Sequence, residues 1–217
     1  AFSFNGGCGA SASGLDGLTP PDACDGGTVM ANYSTTDLCG QSAGCSSSFT
    51  VAPAPAVVLN CPAAVNEAAC QTQAAIDQKF ADWMALISFS GGCNLQVTHD
   101  AGAAPAACGG SVTVTWTASS DCQADVVCSS TFTVAPAPLL TVSCPEEITV
   151  AACQDQTTIN NAFYSWINAF SFSGGCGASA SGLAGLTPPD ACDGGTVTAN
   201  YSATDLCGQS ANCSSSF

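Results

Sequence analysis

The residues of this chain most able to carry out chemistry are its cysteines. There are sixteen in 217 residues. Cysteines bind zinc, act as nucleophiles or form disulfides, and their spacing distinguishes these roles. A zinc site typically uses close pairs of the Cys-x-x-Cys kind, but the closest pairs here have five residues between them: Cys39/Cys45, Cys122/Cys128 and Cys207/Cys213. The pattern therefore predicts disulfides formed outside the cytosol.

The remaining residue types give little support to catalysis. His99 is the single histidine and is expected in a Gly/Ala-rich loop in the middle of the chain, and Lys79 is the single lysine or arginine. A nucleophile with a base, or a carboxylate pair in a cleft, is the usual requirement for an active site. We therefore expect no enzymatic activity and no cofactor.

The charge of the chain is strongly acidic. Sixteen Asp and Glu residues against Lys79 alone give a formal net charge of −15. Such a surface repels phosphate backbones, which excludes nucleic acid as a partner. No apolar run approaches the ~18 residues of a spanning helix, so we expect no membrane insertion of this segment.

Calcium is the one cation for which the sequence offers ligands. Asp16, Asp22 and Asp25 fall in one loop, and carboxylate oxygens are typical calcium ligands. The aspartate at Asp16 is replaced by Ala184 in a near-copy of the loop, and no Asp-x-Asp-x-Asp ladder is present. These three residues are therefore weak calcium candidates.

The chain is built of repeats. Ala1–Phe49 recurs as Ala169–Phe217 with five substitutions, and the Cys61-Pro62 pair returns as Cys144-Pro145. The substitutions are Asn5/Ser173, Asp16/Ala184, Met30/Thr198, Thr35/Ala203 and Gly44/Asn212. A fixed period identifies an array of similar modules, and the array predicts an internal segment of a longer chain.

The repeats set the expected domain boundaries. Residues 1–51 are the C-terminal part of a repeat of a second type, residues 56–134 a complete repeat of a first type, and residues 139–217 a nearly complete repeat of the second type. Ala-Pro joints occupy residues 52–55 and 135–138. Because proline fixes φ, alternating Ala-Pro favours a short, stiff spacer.

Most segments within a repeat are predicted to be strands. Ser111–Thr117 alternates apolar and hydroxyl residues, and Thr28–Ser34 and Thr196–Ser202 are its counterparts. Thr72–Ile87 instead places Ile76, Phe80 and Trp83 at helical spacing, with Thr72 or Asp155 as N-cap. The predicted fold class is mainly β: tandem immunoglobulin-like antiparallel sandwiches arranged end to end, each with one short helix and about three disulfides.

The immunoglobulin topology also predicts a disulfide pairing. It places Cys61, Cys93, Cys122 and Cys128 at one end of the module and Cys70 and Cys108 at the other. Among the fifteen pairings that six cysteines allow, this arrangement favours bridges within each repeat: Cys61–Cys128, Cys93–Cys122, Cys70–Cys108, Cys144–Cys213, Cys176–Cys207, Cys153–Cys192 and Cys8–Cys39. Cys24 and Cys45 are expected to have partners upstream of Ala1.

Several motifs resemble the HYR (hyalin repeat) family of immunoglobulin-like modules. Asp37–Val51 is similar to its closing hairpin, and Cys61-Pro62 to its opening Cys-Pro. The combination of Ala68–Gln73, Phe80–Trp83, Ser90–Cys93 and Cys108–Trp116 looks like the HYR-like repeats of giant surface adhesins of gliding Bacteroidota, the SprB type. The outer copies depart from this pattern, with Cys24-Asp25 in place of Cys-Gly and Tyr33 in place of Trp116. The resemblance implies type IX secretion, a cell-surface filament, and adhesion and gliding motility.

The expected function is therefore a structural repeat segment of an extracellular, disulfide-stapled filament on a bacterial cell surface that projects a distal binding tip. The expected partners are neighbouring repeats of the same long chain and, as a second candidate, other copies of the filament. The alternative is an array that itself binds glycans or cations, as a calcium-dependent adhesion module.

Overall fold

A computed structural model describes all residues, 1–217, and shows a mainly β chain, as predicted. The helices are α1 (Gln73–Met84) and α2 (Gln156–Ile167). The strands are β1 (Ser11–Ser13), β2 (Gly27–Thr36), β3 (Ser42–Val51), β4 (Val58–Asn60), β5 (Val65–Glu67), β6 (Ser88–Ser90), β7 (Gln96–His99), β8 (Gly110–Ser120), β9 (Gln123–Val134), β10 (Thr141–Ser143), β11 (Ser171–Ser173), β12 (Ser179–Ser181), β13 (Thr198–Thr204) and β14 (Ser210–Ser216).

Both helices form where the apolar spacing predicts them. Thr72 caps α1 by accepting a hydrogen bond from the backbone N–H of Ala75, and Asp155 caps α2 in the same way through Thr158. Each cap satisfies one of the backbone donors that a helix N-terminus leaves unpaired. Both predicted N-caps are thus confirmed, and each helix ends a turn earlier than the apolar pattern indicates.

Each repeat ends in a long antiparallel hairpin. β2 pairs with β3 from Gly27↔Val51 to Thr36↔Ser42, and β13 pairs with β14 over Thr198–Ser216. A short third strand, β1 or β12, completes each three-stranded sheet. The alternating apolar residues of the central strand therefore share one face, as the period of two requires.

The middle of the chain contains a four-stranded sheet in the order β5-β9-β8-β7. β7 pairs with β8 antiparallel, but β5 pairs with β9 parallel, with Val65 opposite Phe132. The prediction of a purely antiparallel module is wrong at this edge. A parallel pair needs a long connection, and the chain from β5 to β9 supplies one because it includes α1.

The chain divides into two compact units, and each contains part of the predicted middle repeat. One comprises Ala1–Pro62, Leu86–Ala101 and Val114–Ser130. The other comprises Ala63–Ala85, Gly102–Thr113 and Thr131–Phe217. No helix is long and apolar enough to cross a membrane.

The second unit has an aromatic core. Phe163 and Trp166 of α2 both pack against Phe217. Trp166 also contacts Phe170, which in turn contacts Tyr201, and the ring centroids of these pairs lie between 5.2 and 5.8 Å apart. Phe80 and Trp83 of α1 similarly contact Phe132 of β9. The apolar stripes of both helices are therefore core, as expected, and position the strands that follow.

The first unit shows what the helix contributes. Phe49 ends the same Cys-Ser-Ser-Ser-Phe sequence as Phe217, yet Phe49 is 59% exposed and Phe217 only 9%. In the third repeat, Phe163 and Trp166 of α2 cover Phe217, whereas residues 1–49 contain no counterpart of this helix. Phe49 and Phe217 thus differ in burial because only Phe217 has a helix packed on it.

Candidate functional site

The cysteines form the candidate site, and five disulfides are present. Two of them close a repeat on itself, Cys61–Cys128 and Cys144–Cys213, with Cα atoms 5.9 and 6.0 Å apart. Both correspond to predicted pairs. Each joins the start of a repeat to its closing hairpin.

The other three disulfides join one repeat to the next. Cys24 bonds to Cys122, Cys70 to Cys176 and Cys108 to Cys207, with Cα–Cα distances of 5.0, 4.9 and 5.5 Å. We call Cys70 and Cys108 the outgoing pair of the middle repeat, and Cys176 and Cys207 the incoming pair of the third. Cys24 and Cys122 occupy the positions of Cys108 and Cys207 at the preceding junction.

The remaining predicted bridges are wrong. Five do not form: Cys93–Cys122, Cys70–Cys108, Cys176–Cys207, Cys153–Cys192 and Cys8–Cys39. Cys24 finds its partner downstream, at Cys122, rather than upstream of Ala1. Six cysteines stay unbonded: Cys8, Cys39, Cys45, Cys93, Cys153 and Cys192.

The Ala-Pro joint explains why successive repeats bond to each other. The backbone N–H of Ala137 donates to the carbonyl of Cys108 at 2.9 Å, and the N–H of Gly175 donates to the carbonyl of Pro138 at 3.0 Å. The joint is therefore hydrogen-bonded both to the repeat before it and to the repeat after it. A spacer this short and fixed leaves the outgoing pair within bonding distance of the incoming pair, so the bridges close across the junction.

Local structure holds each outgoing cysteine in place. Cys70 has a left-handed backbone, φ 65°, which costs a non-glycine residue of the order of 1–2 kcal/mol. The side-chain amide of Gln73 donates to the carbonyl of Pro105 and accepts from the N–H of Ala107, and thereby fixes the loop that ends in Cys108. The outgoing pair is thus organised around the first turn of α1.

A carboxylate organises the incoming pair. Asp205 accepts hydrogen bonds from the backbone N–H groups of Cys176 at 3.0 Å, Cys207 at 2.9 Å and Gln209 at 2.7 Å. Desolvation raises the pKa of Asp205, but these hydrogen bonds favour the charged form more strongly and hold the pKa below its ordinary value. The charged carboxylate therefore fixes the two segments that carry the incoming sulfurs.

In the middle repeat a hydroxyl takes the place of the Asp205 carboxylate. Ser120 stands two residues before Cys122, where Asp205 stands before Cys207. Its hydroxyl oxygen accepts from the N–H of Cys93 at 3.0 Å and from the N–H of Cys122 at 3.4 Å. The Ser120 hydroxyl thus accepts from the N–H groups of both incoming cysteines of its repeat, as the Asp205 carboxylate does in the third repeat.

A glutamine fastens the joint to the closing hairpin. The side-chain amide of Gln209 donates to the carbonyl of Pro138 at 2.9 Å and accepts from the N–H of Leu140 at 3.0 Å. Gln123 accepts from the N–H of Val57 in the same manner, at 2.9 Å. Each of these side chains satisfies backbone groups at the point where the joint becomes the first strand of the next repeat.

The incoming pair is the one cluster with metal-ligand residue types. The sulfurs of Cys176 and Cys207 and a carboxylate oxygen of Asp205 lie within 4.8 Å of one another. Both sulfurs are already bonded in disulfides. A disulfide sulfur lacks the thiolate charge that binds a metal, so the cluster is a pair of adjacent cross-links.

The three calcium candidates do not form such a cluster. Asp22 instead accepts hydrogen bonds from the backbone N–H groups of Cys24 at 2.7 Å and Asp25 at 2.9 Å. The bond from Asp25 and then that from Cys24 lower the pKa of Asp22 below its ordinary value. Asp22 therefore shapes the turn that carries Cys24, and Asp190 does the same for Cys192.

His99 and Lys79, the two residues considered for catalysis, each contact a neighbouring residue of the fold. His99 is the last residue of β7 rather than part of a loop, and its Nδ1 accepts from the N–H of Ala101 at 3.3 Å. Lys79 forms an ion pair with Glu67, in which the Nζ donates to Oε2 at 2.5 Å.

Sequence reasoning identified the cysteines but assigned the wrong partners to most of them. The cysteine spacing does not show how close the joint holds two successive repeats. That distance decides whether a cysteine bonds within its own repeat or to the next one. The two joints do have the same sequence, and this indicates that both junctions have the same geometry.

No family model matches this chain, and no curated protein matches it. Among solved structures, the extracellular cadherin domains 1–4 of protocadherin gamma B7 align over 88% of the chain at 11% identity with a TM-score of 0.32. The chain spans 56% of the length of that structure.

Proposed function

We propose that this chain is a structural segment of an extracellular surface filament of the HYR-like adhesin type, whose covalently linked repeats carry a distal binding tip for adhesion or gliding. The observation that carries the proposal is the set of three disulfides between successive repeats. Disulfides persist in oxidising, extracellular surroundings, which agrees with a segment exposed at a cell surface.

The bridges give each junction more than one covalent link. The middle and third repeats are joined by the backbone of the joint, by Cys70–Cys176 and by Cys108–Cys207. One link allows a module to swivel, whereas three links at separate points restrict its rotation. A segment that transmits force or holds a tip at a distance benefits from that restriction.

The bridges also limit extension. Cys144–Cys213 encloses 69 residues of the third repeat. Tension applied along the chain passes across this bridge, so the enclosed residues cannot lengthen while it is intact. Fully extended, they would add about 230 Å. If Cys144–Cys213 is lost, Cys108–Cys207 still provides a second short route across the junction.

Single-molecule force spectroscopy tests the proposal. With handles at Ala1 and Phe217, the oxidised chain should show no lengthening of about 230 Å from the third repeat, and the reduced chain should show it. The oxidised variant with Cys144→Ser and Cys213→Ser should gain only a small part of that length, because the route through Cys207 remains. A full-length step in the oxidised native chain would overturn the mechanical role.

A further inference from the structure

The six unbonded cysteines follow from the pairing rule that the five bonded pairs establish. Within a repeat, the first cysteine bonds to the last, as in Cys144–Cys213. Between repeats, the outgoing pair bonds to the next incoming pair. Under this rule, Cys153 and Cys192 are an outgoing pair, and Cys8 and Cys39 an incoming pair, without partners in residues 1–217.

The same rule accounts for the other two unbonded cysteines. Cys93 is an incoming cysteine, and its partner would be a first-repeat counterpart of Cys70, which residues 1–49 do not contain. Cys45 corresponds to Cys128 and Cys213, and its partner would be the first-repeat counterpart of Cys61. No unbonded cysteine departs from the rule.

We propose that Cys153, Cys192 and the cleft beside Cys153 form a docking site for a further repeat, which follows Phe217 in a longer polypeptide. The occupant is an extended Thr-Val-Ala-Pro joint followed by the incoming cysteine pair of that repeat. This inference extends the proposed filament, but it rests on disulfide pairing and on a cleft rather than on mechanical behaviour.

Cys153 and Cys192 are held in the same way as the bonded outgoing pair. Cys153 has a φ of 64°, almost the same as the 65° of Cys70. Gln156 donates to the carbonyl of Pro189 and accepts from the N–H of Ala191, as Gln73 does with Pro105 and Ala107. The backbone strain at Cys153 is thus retained without the bridge that accompanies it at Cys70.

The cleft lies beside Cys153 and has a volume of about 290 Å³. Its apolar lining comes chiefly from Ile148, Val150, Ile159 and Phe217. The counterparts of Ile148–Val150 in the middle repeat are the residues of β5, which pair in parallel with Phe132–Val134. The cleft therefore corresponds to the place where Val134 is buried, at 1% exposure.

One hydrogen bond of the corresponding parallel pairing is present in the third repeat. The N–H of Ile148 donates to the carbonyl of Ser216 at 3.1 Å, and Phe217 occupies the position of Phe132. Phe49 and Phe132 are each followed by Thr-Val-Ala-Pro-Ala-Pro. The same six residues after Phe217 would continue the ladder along Thr149 and Val150 and place a valine in the cleft.

The two bridges form by oxidation. Each new S–S bond takes one proton and one electron from each of two thiols, and an oxidising disulfide, such as oxidised glutathione, accepts both electrons and both protons to become two thiols. Cys153 and Cys192 are both exposed, so an oxidant of this class can reach them.

The test adds a copy of residues 50–132 after Phe217 and maps the disulfides of the chain, refolded with oxidised and reduced glutathione, by non-reducing peptide mass spectrometry. The expected result is Cys153 bonded to the added counterpart of Cys93 and Cys192 to that of Cys122. A Cys153–Cys192 bridge, free thiols at both positions, or bonds from them to Cys8 and Cys39 of a second copy would overturn the proposal.

A shorter extension tests the cleft without a new repeat. Thr-Val-Ala-Pro-Ala-Pro added after Phe217 should protect the amides of Thr149–Ala151 from hydrogen exchange at least tenfold and raise Tm, whereas Thr-Asp-Ala-Pro-Ala-Pro should not. Equal exchange in the two extended chains would show that the cleft does not receive the joint. Failure of either test leaves the force measurement on residues 1–217 unaffected, so the two proposals can fail separately.

Discussion

The Cα atoms of Cys70 and Cys176 lie 4.9 Å apart, although 106 residues separate them along the chain. Neither cysteine bonds within its own repeat. The repeats are therefore not independent modules, because disulfides as well as the backbone join each repeat to the next. The consequences can be measured bond by bond.

The Cys144–Cys213 bridge should stabilise the third repeat. The variant with Cys144→Ser and Cys213→Ser should lose about 2–4 kcal/mol of unfolding free energy, because the bridge closes a loop of 69 residues in the unfolded chain. The matched control is Cys153→Ser with Cys192→Ser in the same repeat, where both cysteines are unbonded. Urea unfolding followed by Trp fluorescence measures both, and equal losses would contradict the assignment of the bridge.

The close approach of Gly174 to Leu139, the residue directly after the joint, should make Gly174 intolerant of a side chain. A Cβ on Gly174 would overlap the carbonyl oxygen of Leu139, and its φ is +80°. Gly185 has nearly the same φ, +79°, with open space around it. We expect Gly185→Ala to cost about 1 kcal/mol of unfolding free energy from the left-handed backbone alone, and Gly174→Ala to cost clearly more. Equal costs in thermal unfolding would show that the overlap is relieved by a backbone shift.

A buried hydrogen bond should anchor α2 to the closing hairpin. Trp166 Nε1 donates to Ser215 Oγ at 3.1 Å, and Ser215 is 5% exposed. Ser215→Ala leaves a buried donor without its partner, so we expect a loss of about 1–3 kcal/mol of unfolding free energy. Ser47 occupies the same position in the first repeat but is exposed, and Ser47→Ala should change stability by less than about 0.5 kcal/mol. A similar loss at both positions would rule out this anchoring role.

Much of the local structure could be predicted because its causes are local. The apolar residues of α1 and α2 repeat at helical spacing, and the Thr72 and Asp155 caps stand directly before them. The alternation of Ser111–Thr117 likewise predicts the central strand β8. These signals lie within a dozen residues, so no knowledge of distant contacts is needed.

The bridges could not be predicted in the same way because their cause is not local. The topology argument correctly predicted Cys61–Cys128, whose two cysteines belong to one repeat. For Cys70 and Cys108 it assumed that cysteines at one end of a module bond to each other. The hydrogen bonds of the joint to Cys108, through Ala137, and to Gly175, through Pro138, bring two repeats together and depend on backbone geometry that the sequence does not display.

The depressed pKa of Asp205 should make the third repeat sensitive to acid. Because its folded-state pKa lies below the ordinary value of 3.8, the carboxylate stabilises the folded state above that value, and the contribution is lost as the pH falls through the folded-state pKa. The Asp205→Ser variant copies Ser120 and does not titrate at this position. The stability difference between native chain and variant should therefore shrink from about pH 6 to about pH 2.5. A constant difference would show that the charge of Asp205 has no stabilising role.

Asp205 should also protect the adjacent bridges from reduction. Reduction proceeds by attack of a thiolate on a sulfur, and the carboxylate lies within 4.8 Å of the sulfurs of Cys176 and Cys207. Repulsion between the two negative charges raises the barrier to attack, so Asp205→Asn should speed reduction of Cys70–Cys176 and Cys108–Cys207 by about two- to fourfold at low salt.

The preceding junction provides the internal control, because Ser120 holds the position of Asp205 beside Cys24–Cys122. That bridge should be reduced at the same rate in the native chain and in the Asp205→Asn variant. Differential alkylation during reduction by glutathione resolves the three bridges. The acceleration should disappear at high salt, since screening shortens the range of the repulsion. An acceleration that persists at about 1 M salt would point to loosening of the turn rather than to charge.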